Sequence, residues 1–342
     1  MQNKRIVFVE KNNAQLLDDA LIEPQENQVL VELAVSTISS GTERANLTGD
    51  ESVNPTKPAE PAKFPRYSGY SSSGTVIKAG SAVTELAVGD RVAVSWGSHR
   101  RYVTTTADKL TKITDDRITF EEAALWHIAT FPLAAIRKCR LEIGESAIVM
   151  GLGVLGRVAV QLLRIAGAAP VIAVDPVKEK REQARAFGAD FAFDPFDPAF
   201  TEKVRQATNG GVNVAIEVTG NGKALDQVLD CMARFGRVAL LGCTRSSDFT
   251  IDYYHKVHGK GVSLIGAHTA ARPVHDTSSG LWTTHDDVMT AMRLIHLGRL
   301  NLEELVEEIH SPVDAPEVYK RLATEPSFPV VQFDWTKISV EE

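Results

Sequence analysis

The sequence predicts an α/β protein made of two domains, one rich in β-strands and the other built on a doubly wound parallel sheet. A chain of 342 residues exceeds what one compact core usually holds, and its hydrophobic content of 44% is sufficient for two cores. Near residue 120 the pattern changes from short strands and turns to apolar runs that alternate with helical segments. These observations together define the fold class.

Residues 4 to about 110 are predicted to form the β-rich part. Short strand-like segments alternate there with turns that contain Gly, Pro and Ser, and the helical signal is weak. The stretch STISSGTERANLTGD (36–50) follows a well-patterned strand and is predicted to be a loop. The stretch NPTKPAEPAKFP (54–65) has four prolines in twelve residues and is predicted to be an exposed loop, with a lid as one role for it.

Six continuous apolar runs in the second half predict six strands, namely SAIVM, VIAV, FAF, VAIEV, RVALL and VSLIG. Helical patterns such as GRVAVQLLRIAG, VKEKREQARAFG and KALDQVLDCMARFG lie between them. Apolar strands with helical crossovers imply a parallel sheet that is covered on both faces. Two more helices are predicted near 286–298 and 314–323, and the last strand, PVVQFDW, is expected to pack on the first domain.

Composition excludes several classes of protein. The net charge of −7 and the absence of a dense Lys/Arg tract argue against nucleic acid as a partner. No apolar run approaches the roughly 20 residues of a membrane span, and no signal-peptide core follows the N-terminus, so a cytoplasmic protein without a membrane partner is expected. Cys139, Cys231 and Cys243 are widely spaced, which fits a reduced compartment and offers no structural zinc site.

The most specific motif is SAIVMGLGVLGRVAVQLL, in which a strand leads into Gly151, Gly153 and Gly156 and then into a helix. Gly151 allows a tight turn, Gly153 lets the backbone approach a pyrophosphate, and Gly156 permits close packing of helix on strand. Asp175 follows at the end of the next strand, where a carboxylate accepts ribose hydroxyl groups. The motif predicts NAD as the cofactor, and nearby Lys180 leaves NADP as the less favoured alternative.

Several stretches, in order, resemble the medium-chain dehydrogenases and reductases, the alcohol and polyol dehydrogenase family. They are SSGTERANLTGD, SGYSSSGTVIKAGSAVTELAVGDRVA, SHRRYVTTTADKLTKITD, EEAAL, GLGVLG and GRLNLEELVEEIHSPVDAPEVYKRL, and they span nearly the whole chain. The resemblance implies a GroES-like catalytic domain over residues 1–120 and 271–342, with a Rossmann domain inserted over 121–270. It also implies a homodimer or homotetramer that associates through an edge strand of the nucleotide sheet, here VSLIG.

The resemblance also shows where this sequence departs from zinc-dependent members. The family's cysteine ligand is matched by Ser40, its histidine ligand by Tyr70, and the glutamate of polyol dehydrogenases by His127. One histidine does not hold a catalytic zinc ion. The cysteine-rich lobe that binds structural zinc is absent as well, so a member of the family without zinc is predicted.

Other residues are then needed for the work that zinc does in the family. Three catalytic candidates follow from the resemblance: Thr42 to contact the substrate oxygen, His127 as the principal proton-exchanging group, and Tyr70 as a second donor. Alternatively, Thr42 is an ordinary turn residue, and Tyr70 and His127 fill the space of a lost metal site. The expected pocket residues are Glu43, Trp96, His99, Trp126 and His268, with Glu43 expected to anchor Arg44 or a loop amide.

The cofactor is expected to contact the glycine motif and the carboxyl ends of later strands in the nucleotide sheet. The complete predicted set is Gly151, Leu152, Gly153, Val154, Leu155, Gly156, Asp175, Lys180, Val218, Thr219, Gly220, Gly242, Cys243 and Ala267.

Three functions stay in competition at the level of sequence. The leading one is the zinc-independent, NAD(H)-dependent interconversion of a secondary alcohol and its ketone, with a sugar or polyol as the expected substrate. The second is an NADPH-dependent quinone or enoyl reductase without zinc, which Asp175 disfavours. The third is a catalytically inactive NAD-binding homologue, since loss of metal ligands is also what decay produces.

Overall fold

The computed structural model describes residues 2–246 and 249–338 and divides into two compact units. The first unit is Met1–Ile128 with Asn301–Glu342, and the second unit is Ala129–Leu300. The boundaries predicted at 120/121 and 270/271 therefore differ from the observed ones. Residues 120–124 stay with the first unit because the Ser73 and Ser71 hydroxyls donate to the Phe120 and Ala124 carbonyls at 2.6 Å each.

The second boundary moves for a similar reason. The segment after residue 271 belongs to the second unit, since the Arg137 guanidinium donates to the Asp287 carboxylate at 2.9 Å and Arg272 donates to the Thr130 carbonyl at 3.1 Å. Asp287 is fully buried, and a buried carboxylate requires such partners.

The elements in chain order begin with β1 Asn3–Glu10, β2 Asn13–Asp19, β3 Gln28–Thr37, α1 Ser40–Leu47, β4 Ser71–Ala79, β5 Arg91–Ser95, β6 Tyr102–Thr106, β7 Leu110–Lys112, α2 Phe120–Ala123 and α3 Trp126–Lys138. They continue with β8 Ala147–Met150, α4 Val154–Ala166, β9 Val171–Val174, α5 Lys178–Ala186, β10 Phe191–Phe193, α6 Phe200–Ala207, β11 Val212–Glu217, α7 Gly222–Cys231, β12 Met232–Leu240 and β13 Ser263–Gly266. The last are α8 Thr284–His296, β14 Glu308–His310, α9 Ala315–Thr324 and β15 Val331–Asp334.

A seven-stranded sheet organises the first unit, with the order β14-β15-β3-β4-β5-β7 and with β6 paired to β3. β15 lies antiparallel to β3, in the register Gln332 opposite Thr37, so the C-terminal strand packs on the β-rich unit as expected. β3 is long and apolar, and its side chains Val29, Val31 and Leu33 belong to the core of this unit.

Two segments of the first unit test the loop predictions. Residues 54–65 have no helix or strand and are mostly exposed, as predicted. The stretch 36–50 was wrongly predicted to be a loop, because it contains α1. With only eight residues, α1 is too short for a clear helical period, and burial of Ala45 and Leu47 stabilises it through tertiary packing.

A six-stranded sheet organises the second unit, with the order β10-β9-β8-β11-β12-β13 and every pair parallel. This confirms the doubly wound sheet predicted from the six apolar runs. The helix α6 was not predicted, and α7 ends at Cys231, earlier than its pattern suggested, because residues from Met232 onward pair with β11.

The strand order reverses between β8 and β11, since β9 and β10 follow on one side and β12 and β13 on the other. Open α/β sheets bind ligands at the carboxyl ends of the strands beside such a reversal. The glycine motif follows β8 at this position. β13 is an edge strand, and association through it stays a prediction that sedimentation velocity can check.

Among the described residues, no helix has both the length and the apolar character needed to cross a membrane.

Candidate active site

The glycine motif forms the turn between β8 and α4 in the second unit. Gly151 has φ of +98°, a conformation that glycine adopts without strain. A Cβ on Gly156 would lie 1.9 Å from the Gly151 carbonyl oxygen, so no side chain fits there, whereas a Cβ on Gly153 would meet nothing within 4 Å. The backbone at Gly153 therefore borders open space at the N-terminus of a helix, where pyrophosphate groups bind.

Asp175 lies at the end of β9 and is mostly buried. Its two carboxylate oxygens accept the Leu152 and Val177 backbone N–H groups at 2.8 and 2.9 Å. A carboxylate has about four acceptor positions, so capacity for ribose hydroxyl groups is left. The Arg181 guanidinium donates to the Asp175 and Pro176 carbonyls at 2.7 and 2.9 Å. These hydrogen bonds engage a positively charged group that could otherwise bind a 2′-phosphate.

A second carboxylate organises the other predicted cofactor loop. Glu217, at the end of β11, is buried and accepts the Thr219 N–H at 2.7 Å, the Gly220 N–H at 3.2 Å and the Thr219 hydroxyl. Burial raises the pKa of this carboxyl group. A Cβ on Gly242 would lie 2.2 Å from the Gly220 nitrogen, so the loops after β11 and β12 touch through their backbones.

Glu217 is not among the predicted site residues, although an acidic residue inside the apolar run VAIEV is unusual and indicates a specific role. Of the other predicted cofactor positions, Val154, Leu155 and Gly156 begin α4, Lys180 lies in the first turn of α5, exposed Cys243 follows Gly242, and buried Ala267 directly follows β13.

His268 follows β13 in the second unit. Its Nδ1 accepts the Ala270 N–H at 3.1 Å, which assigns the hydrogen of the neutral ring to Nε2. Burial, together with Arg245 and Lys138, lowers the pKa of this imidazole. His268 is therefore held as a neutral donor within its own unit.

Three rings in the first unit form a cluster, which we call the aromatic cluster: Tyr70, Trp96 and His127. The ring centroids lie 5.6 Å apart for Tyr70 and His127, 5.2 Å for Trp96 and His127, and 5.3 Å for Tyr70 and Trp96. Tyr70 and His127 are buried, whereas Trp96 is 55% exposed. Trp96 also has φ of +64°, which is strained for an aromatic residue.

The start of α3 places His127 in this cluster. Thr37 and Ser71 both donate their hydroxyls to the Ala124 carbonyl, at 3.0 and 2.6 Å, and so fix the turn between α2 and α3. Trp126, a predicted pocket residue, is completely buried instead and presents no surface to a substrate. Its indole N–H has no hydrogen-bond partner within residues 2–246 and 249–338.

Glu43 and His99 are both completely buried and bonded to each other, at 3.1 Å from His99 Nε2 to either carboxylate oxygen. They do not line an open pocket, contrary to the prediction, because each is enclosed by its own partners. Glu43 accepts a loop amide, that of Ser39, at 2.9 Å, as expected. Arg44 is not its partner, since that guanidinium donates to the Leu322 carbonyl at 2.8 Å.

Thr42 lies half-buried in α1, where its carbonyl accepts the Asn46 side-chain N–H at 3.0 Å. Tyr70 donates its hydroxyl to the Ser39 side chain, directly before α1. The three catalytic candidates thus belong to the first unit, with Thr42 on α1, Tyr70 directly before β4, and His127 in the first turn of α3.

The residues at the family's zinc positions do not form a zinc site. Ser40 and Tyr70 carry neutral hydroxyls in place of thiolate and imidazole, and zinc prefers Cys and His donors. Across the described ranges 2–246 and 249–338, no three His, Cys, Asp or Glu side chains converge as a metal-binding group. The donor set therefore does not fit the catalytic zinc of the family.

Fold and site together define a dehydrogenase with a GroES-like domain and a Rossmann domain. Residues 25–115 match the model of the alcohol dehydrogenase GroES-like domain, and residues 154–283 match that of the zinc-binding dehydrogenases. The chain belongs to the medium-chain dehydrogenase/reductase family.

Known proteins agree with this assignment. The chain is similar to D-guloside 3-dehydrogenase from Shigella flexneri, with 28% identity over 72% of this chain and 70% of the relative. In fold it resembles a zinc-binding dehydrogenase from Sinorhizobium meliloti 1021 bound to NADP, with a TM-score of 0.79, 20% identity and coverage of 98% and 99%. It also resembles an alcohol dehydrogenase from Escherichia coli CFT073 complexed with NADH, with a TM-score of 0.82, 17% identity and coverage of 98% and 99%. The chain is an alcohol dehydrogenase-type oxidoreductase.

Replacing Gly153 with alanine is expected to weaken NADH binding about tenfold or more and to leave the melting temperature unchanged. The added methyl group enters the open space in which the pyrophosphate would lie, and it meets no protein atom within 4 Å. Fluorescence titration with NADH and thermal unfolding measure the two effects.

Gly156→Ala is the matched control, because its methyl group collides with the Gly151 carbonyl and should lower the melting temperature. Unchanged NADH affinity in a stable Gly153→Ala protein would mean that the nucleotide does not approach this loop.

Proposed function

We propose that the protein is a zinc-independent, NAD(H)-dependent oxidoreductase that interconverts a secondary alcohol and the matching ketone. The substrate is a sugar or a polyol. The observation that carries this proposal is the chemistry at the family's metal positions. Ser40, Tyr70 and His127 supply hydroxyl and imidazole groups there, which donate and accept hydrogen bonds and exchange protons.

The choice of NAD over NADP rests on the surroundings of Asp175. Its carboxylate repels a 2′-phosphate and retains acceptor capacity for ribose hydroxyls, while Arg181 is occupied by main-chain carbonyls. The glycine motif would hold the pyrophosphate through its backbone N–H groups. The nicotinamide, when bound, supplies the hydride acceptor for alcohol oxidation and the hydride donor for ketone reduction.

The substrate class rests on the aromatic cluster and on similarity. An exposed indole beside hydroxyl and imidazole groups suits a molecule with both apolar C–H faces and hydroxyls, such as a sugar. D-guloside 3-dehydrogenase, to which the chain is similar, is named for a sugar-derived substrate.

In alcohol oxidation the substrate hydroxyl loses a proton as its carbon loses a hydride. We assign the acceptance of that proton to His127, because an imidazole is the side chain best matched to proton exchange near neutral pH and a zinc-independent enzyme has no metal to acidify the alcohol. Thr42 would hold the substrate oxygen, and Tyr70 would form a second hydrogen bond with it. In ketone reduction the same groups act in reverse.

A competing function is an NADPH-dependent quinone or enoyl reductase without zinc. Similarity in fold to the Sinorhizobium meliloti protein bound to NADP favours it, as does Lys180 in the first turn of α5. Asp175 argues against it through its negative charge. The inactive homologue would bind NADH and turn over nothing.

The first test is a panel of alcohols, polyols, sugars and their ketones, assayed at about 340 nm for nicotinamide absorbance with NAD(H) and with NADP(H). Turnover of a secondary alcohol or ketone, with NAD(H) preferred, is expected. Asp175→Asn and Asp175→Ser should erode the preference for NADH over NADPH by roughly 10- to 100-fold, since a hydrogen bond to a charged group and a charge repulsion are lost.

Asp175→Asn keeps one oxygen that can accept a backbone N–H, so its comparison with Asp175→Ser separates the charge from the support of the glycine loop. Tighter binding of NADPH than NADH by the wild-type protein would instead favour the reductase.

The second test concerns zinc. Protein purified without chelator should contain far less than about one zinc per chain, and turnover should withstand incubation with EDTA, because the donor set lacks the Cys and His ligands zinc requires. Stoichiometric, tightly bound zinc measured by mass spectrometry would contradict the zinc-independent assignment.

The third test removes the proposed proton acceptor. His127→Ala should lower turnover by roughly 10²–10⁴-fold, the usual effect of losing an acid–base group, with NADH affinity nearly unchanged. Because His127 is buried, the melting temperature of the His127→Ala protein must be measured alongside its turnover. His127→Asn serves as a variant of closer side-chain volume. Near-normal turnover and an unchanged pH profile in either variant would show that the imidazole only fills space.

A further inference from the structure

Ser39 occupies an unusual position at the start of α1. It is the residue that precedes the helix, with φ −89° and ψ 90°, where a serine hydroxyl normally accepts an N–H of the first turn. Here the Ser39 side chain makes no such cap hydrogen bond. It accepts the hydroxyl hydrogen of Tyr70 instead.

Glu43 holds the backbone of Ser39. Its Oε1 accepts the Ser39 N–H at 2.9 Å, so the carboxylate fixes the Ser39 backbone while leaving the Ser39 hydroxyl to Tyr70. The Tyr319 hydroxyl donates to Glu43 Oε2 at 2.5 Å, and His99 Nε2 lies 3.1 Å from the same oxygen. All three side chains are buried, which makes this support rigid.

His99 is itself oriented by a serine. Ser36 Oγ accepts the Trp335 indole N–H at 2.8 Å and lies 2.7 Å from His99 Nδ1. The Ser36 hydroxyl hydrogen is thus available to Nδ1, and the Nε2 hydrogen is then directed to Glu43. A chain of hydrogen bonds therefore leads from the core of the first unit to Ser39 and Tyr70.

We propose that Ser39 is a positioning residue for the reaction: its hydroxyl bonds to the Tyr70 hydroxyl and so holds the phenol oxygen where it can form a hydrogen bond with the substrate oxygen. This rests on the proposed function, in which Tyr70 contacts the substrate oxygen. Because a hydroxyl both donates and accepts, the Ser39 hydroxyl can rotate to donate to Tyr70, which leaves the Tyr70 hydrogen for the substrate oxygen while His127 exchanges the proton.

A double-mutant cycle tests the proposal with the substrate found in the panel. Ser39→Ala and Tyr70→Phe should each lower kcat by about 3- to 10-fold, the effect of one lost hydrogen bond, and the double variant should be no worse than Tyr70→Phe. Ser39→Thr should restore most of the activity because it keeps the hydroxyl. Multiplying effects in the double variant, or full activity of Ser39→Ala, would overturn the proposal.

Thr48→Ala is the matched control, because it removes a hydroxyl from the far end of α1 that bonds to the Arg44 carbonyl. It should leave kcat unchanged. The melting temperatures of the Ser39→Ala and Thr48→Ala proteins should differ from each other by no more than a few degrees, since each variant loses one partly exposed hydroxyl.

A spectroscopic arm does not depend on turnover. The protein has six tyrosines, and ¹³Cζ-tyrosine labelling gives one resonance for each, with that of Tyr70 identified by its absence in Tyr70→Phe. Ser39→Ala should shift the Tyr70 resonance, and Thr48→Ala should not. If the Tyr70 resonance does not shift, the hydrogen bond itself is contradicted. If it shifts but no substrate is turned over, only the proposed function is contradicted.

Discussion

The first unit depends on the burial of one carboxylate. Glu43 has no exposed surface, and a buried charge is several kcal/mol too costly unless hydrogen-bonded donors surround it. Its donors come from separate parts of the chain: Ser39 before α1, His99 between β5 and β6, and Tyr319 on α9. Satisfying this single group therefore fixes the helix that carries Thr42, the loop that carries Trp96, and the C-terminal segment relative to one another.

The second unit uses carboxylates in the same way. Asp175 directly follows β9 and Glu217 ends β11, the two strands on either side of β8, and each accepts two backbone N–H groups from the loops beside them. These loops contain glycines, whose backbone is intrinsically mobile, and the carboxylates fix it through hydrogen bonds. A nucleotide bound at the predicted site would meet backbone groups whose positions are already set, which would reduce the ordering cost of binding.

The sheets were predictable from sequence, and the hydrogen-bond networks were not. A continuous apolar run such as VIAV predicts a buried strand from neighbouring residues alone. The glycine motif predicts its turn because Gly156 is required by close packing between two elements that are adjacent in sequence. The pair Glu43 and His99 is 56 residues apart, and no local pattern records such a partnership. The resemblance placed both residues in the right region of the first unit, but it could not tell an enclosed hydrogen-bonded pair from the wall of a pocket. The nucleotide contacts, the catalytic candidates and the domain roles derived from it stay predictions.

The backbone at Trp96 bears on whether the site is active or decayed. An aromatic residue held at φ +64° costs roughly 1–3 kcal/mol and persists only where its surroundings determine it. Those surroundings are specific, since Trp96 N–H donates to the Tyr70 carbonyl and Ser98 N–H to the Gly69 carbonyl, both at 2.9 Å. Glycine or asparagine at this position would relieve the strain, so a site under no constraint would be expected to lose the indole. A strained, exposed indole packed against Tyr70 and His127 is the surface that the proposed function requires for contact with a ligand.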